Sequence, residues 1–371
     1  MKSLELESIT GRSKLAQWLI FIGVMLVGAG LASVLSLFIT VAIYPDSFSL
    51  VGGNTEMENA GAMLVFQVIS SVLLYLVVPF VYVRFFNKPL LHKLSSNEKS
   101  PISAYVYAAL VICLLMPVVF WMVKFNRLLE LPAFMEGIEN SMRMAEAKAQ
   151  TLTTMFVEAE GLLIVLALIG LVVIPGIGEE YLFRGIIQSK FLQSGASVHV
   201  SIWATAFIFS FIHFQFYGFL PRMVLGAMFG YLYYYSGNLW VPMLAHATNN
   251  LLATLEMRFI GAEGLDFTNL PHIAGLALIA IYFVGREFLK TTNPLLFQKI
   301  PPDWVILNEY PTEAEAVVVM QNLLAHEIPA VKVNKRDSSY LFGYFQVKVP
   351  THLLVKAQSI TTSTNNEPEE K

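Results

Sequence analysis

The sequence predicts an all-α polytopic membrane protein of about eight transmembrane helices, with a small cytoplasmic α+β domain at its C-terminal end. Three observations predict it. Of 371 residues, 56% are hydrophobic and only 14% are charged, and the mean hydropathy is +0.60; soluble domains run nearer ~25% charged. Several apolar stretches reach the roughly 20 residues needed to cross a bilayer. After about residue 300 the pattern changes to short alternating runs, as in a water-soluble fold. This composition excludes a disordered chain, which needs low hydrophobicity and high net charge. A net charge of −3 gives no global basic field, so nucleic acid is not an expected partner. The single cysteine, Cys113, lies in an apolar run. An internal disulfide and a cysteine-based metal cluster are therefore both excluded.

The first span, Ala16 to Tyr44, is too long for a signal-peptide core and reads as retained. The others fall at about 60–85, 102–123, 161–190, 199–217, 221–236, 239–256 and 271–290. Those between 199 and 256 are short and carry polar residues. Lysine and arginine set the orientation. Lys2, Arg12 and Lys14 precede the first span, and Lys88, Lys93 and Lys99 follow the second. The segment 44–59 holds Asp46, Glu56 and Glu58 and no Lys or Arg. Both termini are therefore expected in the cytoplasm. The polar stretch 124–160 has helical spacing and reads as an interfacial helix on the outer side.

Pro301-Pro302-Asp303 marks the boundary between a membrane domain, 1–300, and a second domain, 301–360. In the latter, Trp304 to Leu307 reads as a strand. Thr312 and Glu315 are spaced as a capping box, opening a helix to about His326. Residues 329–334 and 343–349 alternate with period two and read as strands; 351–360 reads as a closing helix. The polar stretch 361–371 reads as a disordered tail.

Ionisable residues inside spans cost roughly 3 kcal/mol each on insertion scales, so they point to function or to paired structure. Here they fall in three consecutive places. Glu179 and Glu180 precede Arg184 in the fourth span. Glu180 and Arg184, four apart, share a helix face and can pair. Glu179 is turned about 100° away. Unpartnered in a low-dielectric site, it is suited to be a general base. His213 lies in the fifth expected span. His246 and Asn250 share one face of a later helix and could stabilise an oxyanion. A base, two histidines and an amide on adjacent helices are what peptide hydrolysis needs. Glu179, His213 and His246 would equally serve as a zinc-hydrolase ligand set. The residues therefore leave metal-assisted and glutamate-only chemistry both open. A proton relay in a transporter is the competing use of Glu179, Glu180 and His213, and the lack of an inverted repeat counts against it.

The three motifs together resemble the CPBP intramembrane proteases, the CAAX prenyl-protease and bacteriocin-processing family also called Abi. They are Glu179-Glu180…Arg184, Phe209…His213 and His246…Asn250, within about 160–256. The resemblance implies an intramembrane endopeptidase acting on a membrane-associated protein or peptide. It also implies that Glu179 activates water with His213, Glu180 and Arg184 brace the site, and His246 and Asn250 hold the oxyanion. A divalent metal such as zinc is the candidate cofactor if the family chemistry is metal-dependent. The segment from Trp304 to Ala330 resembles a small bacterial signal-transducing domain, with Glu327 where that pattern has glycine. This resemblance implies a bacterial inner-membrane location and a candidate cytoplasmic partner for residues 303–360. The alternative to an enzyme is a catalytically silent scaffold or sensor working through that domain.

Overall fold

The computed structural model describes residues 13–51, 54–57, 59–88, 90, 100–128, 132–261, 271–293, 303–335 and 344–364. They fall into two compact units, within Met1–Asn293 and within Pro294–Lys371.

The first unit is helical. Helix α1 (Lys14–Ile43) starts at Ser13, whose hydroxyl accepts from the Ala16 N–H. The short strands β1 (Phe48–Val51) and β2 (Asn54–Met57) pair antiparallel as a hairpin, in a segment the sequence reading treats as a plain loop. Helix α2 (Ala60–Phe86) is capped by Asn59, whose side chain accepts from the Gly61 and Ala62 N–H groups. Then follow α3 (Ile102–Arg127), α4 (Glu136–Val157), α5 (Leu162–Gln193), α6 (Val198–Phe211), α7 (Phe219–Ser236), α8 (Trp240–Phe259) and α9 (Pro271–Thr292). Among the described residues, five helices are long and apolar enough to cross a membrane: α1, α2, α3, α5 and α9. The expectation of eight such spans is thus met for five. Helix α6 is apolar but only 14 residues long. Helices α7 and α8 have 18 and 20 residues but are less apolar. The polar stretch 124–160 forms the end of α3 and then α4 as a separate helix, mostly exposed.

Helix α5 packs against α2, α6, α7 and α8. From Ile169 to Gln188 its turns are widened to π geometry, at Ile169–Val173, Pro175–Glu179 and Tyr181–Gln188. Pro175 has no N–H to give its own turn, which favours such a shift in the hydrogen-bond ladder. Wide turns of this kind concentrate at functional sites. Below the motif, Lys190 ties α5 to α1 and α2. Its ammonium lies over the rings of Trp18, Phe21 and Tyr82, at 4.9, 5.8 and 5.7 Å. It donates to the Tyr82 hydroxyl at 3.1 Å. The Gln17 carbonyl is a second acceptor at 3.5 Å, so three aromatic faces and two oxygens surround the buried ammonium.

The second unit is a three-stranded antiparallel sheet with two helices packed on it. Strands β3 (Trp304–Tyr310), β4 (Val331–Asn334) and β5 (Phe345–Pro350) lie in the order β3-β5-β4. Helices α10 (Glu313–Ala325) and α11 (Leu354–Thr364) cover a core of Ala316, Leu323, Ile328, Phe345, Val347, Val349 and Ala357. Thr312 caps α10, its hydroxyl accepting from the Glu315 N–H. Strand β3 is three residues longer than the sequence predicts. A register shift between Ile306 and Asn308 breaks its alternation, as a bulge does. Helix α11 runs to Thr364, so 361–364 is helical rather than disordered; the remaining tail lies outside the described residues.

Glu327 has φ +58°, a left-handed backbone, just after α10. This is the position where the resembled pattern carries glycine. A Cβ in this region costs roughly 1 kcal/mol that glycine avoids. Glu327→Gly is expected to raise the unfolding midpoint of this domain in a thermal melt. A fall would mean that the Glu327 side chain makes a stabilising contact larger than the backbone strain.

Candidate active site

Two close approaches bring three helices together at the motif. A Cβ on Gly176 would stand 3.0 Å from the Ala247 Cβ and 3.1 Å from its backbone nitrogen. A Cβ on Gly178 would stand 2.7 Å from the Tyr75 Cβ. Glycine at these two positions lets α8 and α2 lie against α5, as small residues do between membrane helices. Glu179 and Glu180 follow directly, and His246 sits one residue before Ala247.

Glu180 and Arg184 are fully buried. Arg184 Nη1 donates to Glu180 Oε1 at 2.6 Å, the i,i+4 pair the sequence predicts. Arg184 Nη2 donates to the carbonyl of Gly226 at 2.9 Å. Its guanidinium also lies 4.9 Å over Phe209 and 5.3 Å over Phe229. The same Glu180 oxygen meets His246 Nδ1 at 2.8 Å. A carboxylate oxygen accepts, so Nδ1 carries a proton and donates to it. Phe229 stacks on the imidazole, 4.8 Å between centroids and 15° between planes. The ring is thereby held with Nε2 turned to Glu179, 3.9 Å from Oε2. A water at about 2.8 Å from both would bridge that gap.

Glu179, His213, His246, Asn249 and Asn250 line one cavity of about 350 Å³. Helix α6 stops at Phe211, and the chain turns through Phe214 with φ +52°. A bulky residue in that region is an outlier of the kind found at functional sites. The turn is held from α3: Asn126 donates to the Phe216 carbonyl at 2.6 Å and accepts from the Leu220 N–H at 3.3 Å. His213 Nδ1 meets the Phe209 carbonyl at 2.7 Å, so Nδ1 carries the proton and Nε2 is an acceptor. Asn250 donates one N–H to the Leu171 carbonyl at 3.1 Å and accepts from Asn249 at 3.2 Å. One of its two amide protons is left over. The structure thus gathers all six predicted residues. Glu179, His213, His246 and Asn250 line the cavity, and Glu180 and Arg184 lie buried behind them.

The donor set can be tested against a metal. Among the described residues, no three His, Cys, Asp or Glu side chains are gathered as a ligand set. Glu179, His213 and His246 as arranged are not such a set.

Two residues of the site escape the sequence reading. Phe229 stacks on His246, and a phenylalanine among 27 gives no signal. Arg222 lines the cavity. An arginine at the head of an expected span is the same kind of signal as the glutamates, and the reading left it aside.

The first unit is thus an apolar helical bundle enclosing a buried carboxylate–histidine–amide cluster. Residues 161–252 match the family described as type II CAAX prenyl endopeptidase, Rce1-like. That segment, about a quarter of the chain, is similar to this family and carries the three motifs. It is also similar to the uncharacterized protein YpbD of Bacillus subtilis (strain 168), 29% identical over 96 residues. That match covers 25% of this chain and 46% of YpbD, so the chain spans about half the length of the curated relative it matches. No solved structure matches.

Proposed function

We propose that the chain is an intramembrane endopeptidase that hydrolyses a peptide bond of a membrane-associated protein or peptide. The observation that carries this reading is the 3.9 Å gap between Glu179 Oε2 and His246 Nε2. It opens on a cavity shared with His213 and Asn250, inside the segment that matches the family.

In this reading water sits on Glu179, with its second hydrogen held by His213 Nε2. Glu179 takes a proton as the water oxygen bonds to the scissile carbonyl carbon. The oxyanion receives the free N–H of Asn250 and the Nε2–H of His246, whose imidazolium is stabilised by Glu180 at Nδ1. Glu179 then returns the proton to the leaving nitrogen as the C–N bond breaks. The chain is placed in the bacterial inner membrane with both ends and residues 303–360 in the cytoplasm. That separate domain would recruit a partner.

The test uses purified full-length protein and a quenched library of membrane-anchored peptides. Cleavage by the wild type, and by neither Glu179→Ala nor His246→Ala, is the expected result. Inhibition by a strong zinc chelator would replace the glutamate-only route with a metal-dependent one. No cleavage, together with full cellular function of Glu179→Ala, would move the assignment to a scaffold.

A further inference from the structure

The apolar helices of the first unit run alternately up and down, so their ends form two rims. At the first rim the start of α1 meets the end of α5, where Lys14 Nζ donates to the Ser194 carbonyl at 2.7 Å. Near the start of α3, Tyr105 accepts from Asn238, between α7 and α8, at 3.1 Å, and Ala104 packs in one cluster with Phe288, near the end of α9. At the second rim Asn126, at the end of α3, holds the turn before α7. There too Arg258, at the end of α8, donates to the Ala159 carbonyl at 3.3 Å, just past α4. Charge divides unequally between the sequence segments that lead to these rims. Segments 1–15, 84–101, 190–198, 236–240 and 286–300, at the first, carry eleven Lys and Arg and four Asp and Glu. Segments 44–59, 124–161, 212–222 and 256–270, at the second, carry six Lys and Arg and twelve Asp and Glu. An excess of Lys and Arg marks the cytoplasmic ends of spans, which makes the second rim the outer one.

The catalytic cavity lies toward that second rim. Of its lining residues, Val119 and Val123 are in the last turns of α3, His213 is two residues past the end of α6, and Gly218 and Arg222 flank the start of α7. Helix α6 sets the depth. Its 14 residues rise about 21 Å from the first rim, about 9 Å short of a hydrocarbon core ~30 Å thick. The turn that carries His213 is therefore recessed within the outer half of the bilayer, and α4, polar and mostly exposed, packs beside it. From the first rim the way to Glu179 is closed. Gln188, Ser189 and Lys190 are buried there, with Phe183 and Ile186 packed behind them. We propose that the catalytic cavity opens to the extracytoplasmic side, so that this protein cuts chains whose scissile segment has already crossed the membrane and lies in its outer half. The substrate class is then an exported, membrane-anchored peptide or protein. This deepens the endopeptidase reading and rests on it.

The test reads access and cleavage separately, on the full-length protein in the membrane of bacterial spheroplasts. Cys113 is the single cysteine, so Cys113→Ser gives a background for one new thiol at a time. Ser141→Cys reports on exposed α4, Gln193→Cys on the exposed end of α5, and Val123→Cys on the cavity wall. A membrane-impermeant maleimide added outside is expected to label Ser141→Cys and Val123→Cys, and to label Gln193→Cys only after permeabilisation. Outside labelling of Gln193→Cys with protection of Ser141→Cys would overturn the proposal. So would a folded Val123→Cys that reacts only from the inner side, or from neither side while Ser141→Cys reacts. For cleavage, two single-span reporters carry the same randomised apolar segment, inserted so that it lies in the outer half of the bilayer in one and the inner half in the other. The wild type is expected to cut the outer form alone, and Glu179→Gln neither. Cleavage of the inner form, alone or equally, would overturn the proposal and keep the endopeptidase reading. Cleavage of neither, with Val123→Cys labelled from outside, would sink the endopeptidase reading and leave the outward-facing cavity standing.

Discussion

Glu179→Gln is expected to cut peptide hydrolysis by at least about 10³-fold while leaving the protein folded. A positioned general base contributes about 10²–10⁴ in rate, and the amide neither takes a proton from water nor delivers one to the leaving nitrogen. Little structure should be lost. Glu179 is 7% exposed and has no ion-pair partner closer than 3.9 Å, so its charge is buried at a cost that glutamine removes. Glutamine has the same shape, and Gly178 before it and Glu180 after it are untouched. Lost turnover with an equal or higher melting temperature is the signature of a residue kept for chemistry against stability. The measurement is cleavage of the quenched library beside a thermal melt in the same detergent. Retention of more than about a tenth of the wild-type rate would remove Glu179 from the base role. A collapsed melt would make it a structural residue.

How far the site could be read from the sequence depends on which contacts are local. Glu180 and Arg184 are four residues apart on one helix, so their pairing was legible and is found at 2.6 Å. The meeting of Glu180 with His246 spans 66 residues, and no periodicity reports it. The motif triplet pointed to one site, but the tautomer of His246 and the single free proton of Asn250 are set by partners on other helices. The widened turns of α5 were not legible either, because a shift in backbone bonding leaves the side-chain order unchanged. Hydropathy gave α1, α2, α3, α5 and α9 plainly. It weakened at α6, α7 and α8, for a physical reason. These helices carry His246, Asn249, Asn250 and Arg222 or end just before His213. A helix that turns polar groups toward its neighbours loses apolar score as it gains function. In the second unit, alternation and the Thr312 cap gave each element. The bulge at Leu307 and the left-handed Glu327 were missed, since both are backbone features without a residue signal of their own.

Arg184→Met is expected to be among the most destabilising single changes in the membrane unit. Arg184 is fully buried and holds three elements: Glu180 on its own helix, the Gly226 carbonyl on α7, and the faces of Phe209 and Phe229. Methionine fills similar space, so the loss is mainly electrostatic. It leaves Glu180 as a buried carboxylate with only His246 for a partner, and breaking a buried pair in this way costs about 3–5 kcal/mol. The double variant Glu180→Gln/Arg184→Met removes both charges and should recover most of that loss, because a neutral pair of similar volume carries no desolvation penalty. Thermal melts of the two single variants and the double form the cycle, with an expected coupling of 2 kcal/mol or more, the upper range for residues in contact. Near-additive losses would show that Arg184 acts through packing alone. The double variant should nevertheless stay inactive. Glutamine at 180 cannot stabilise an imidazolium at His246, and a neutral orienting partner can settle the ring in the wrong tautomer, which lowers kcat by about 10⁴ in the Ser-His-Asp hydrolases. A folded, stable and silent double variant would mean that the buried pair is maintained to set the charge on His246, with the bundle able to stand without it.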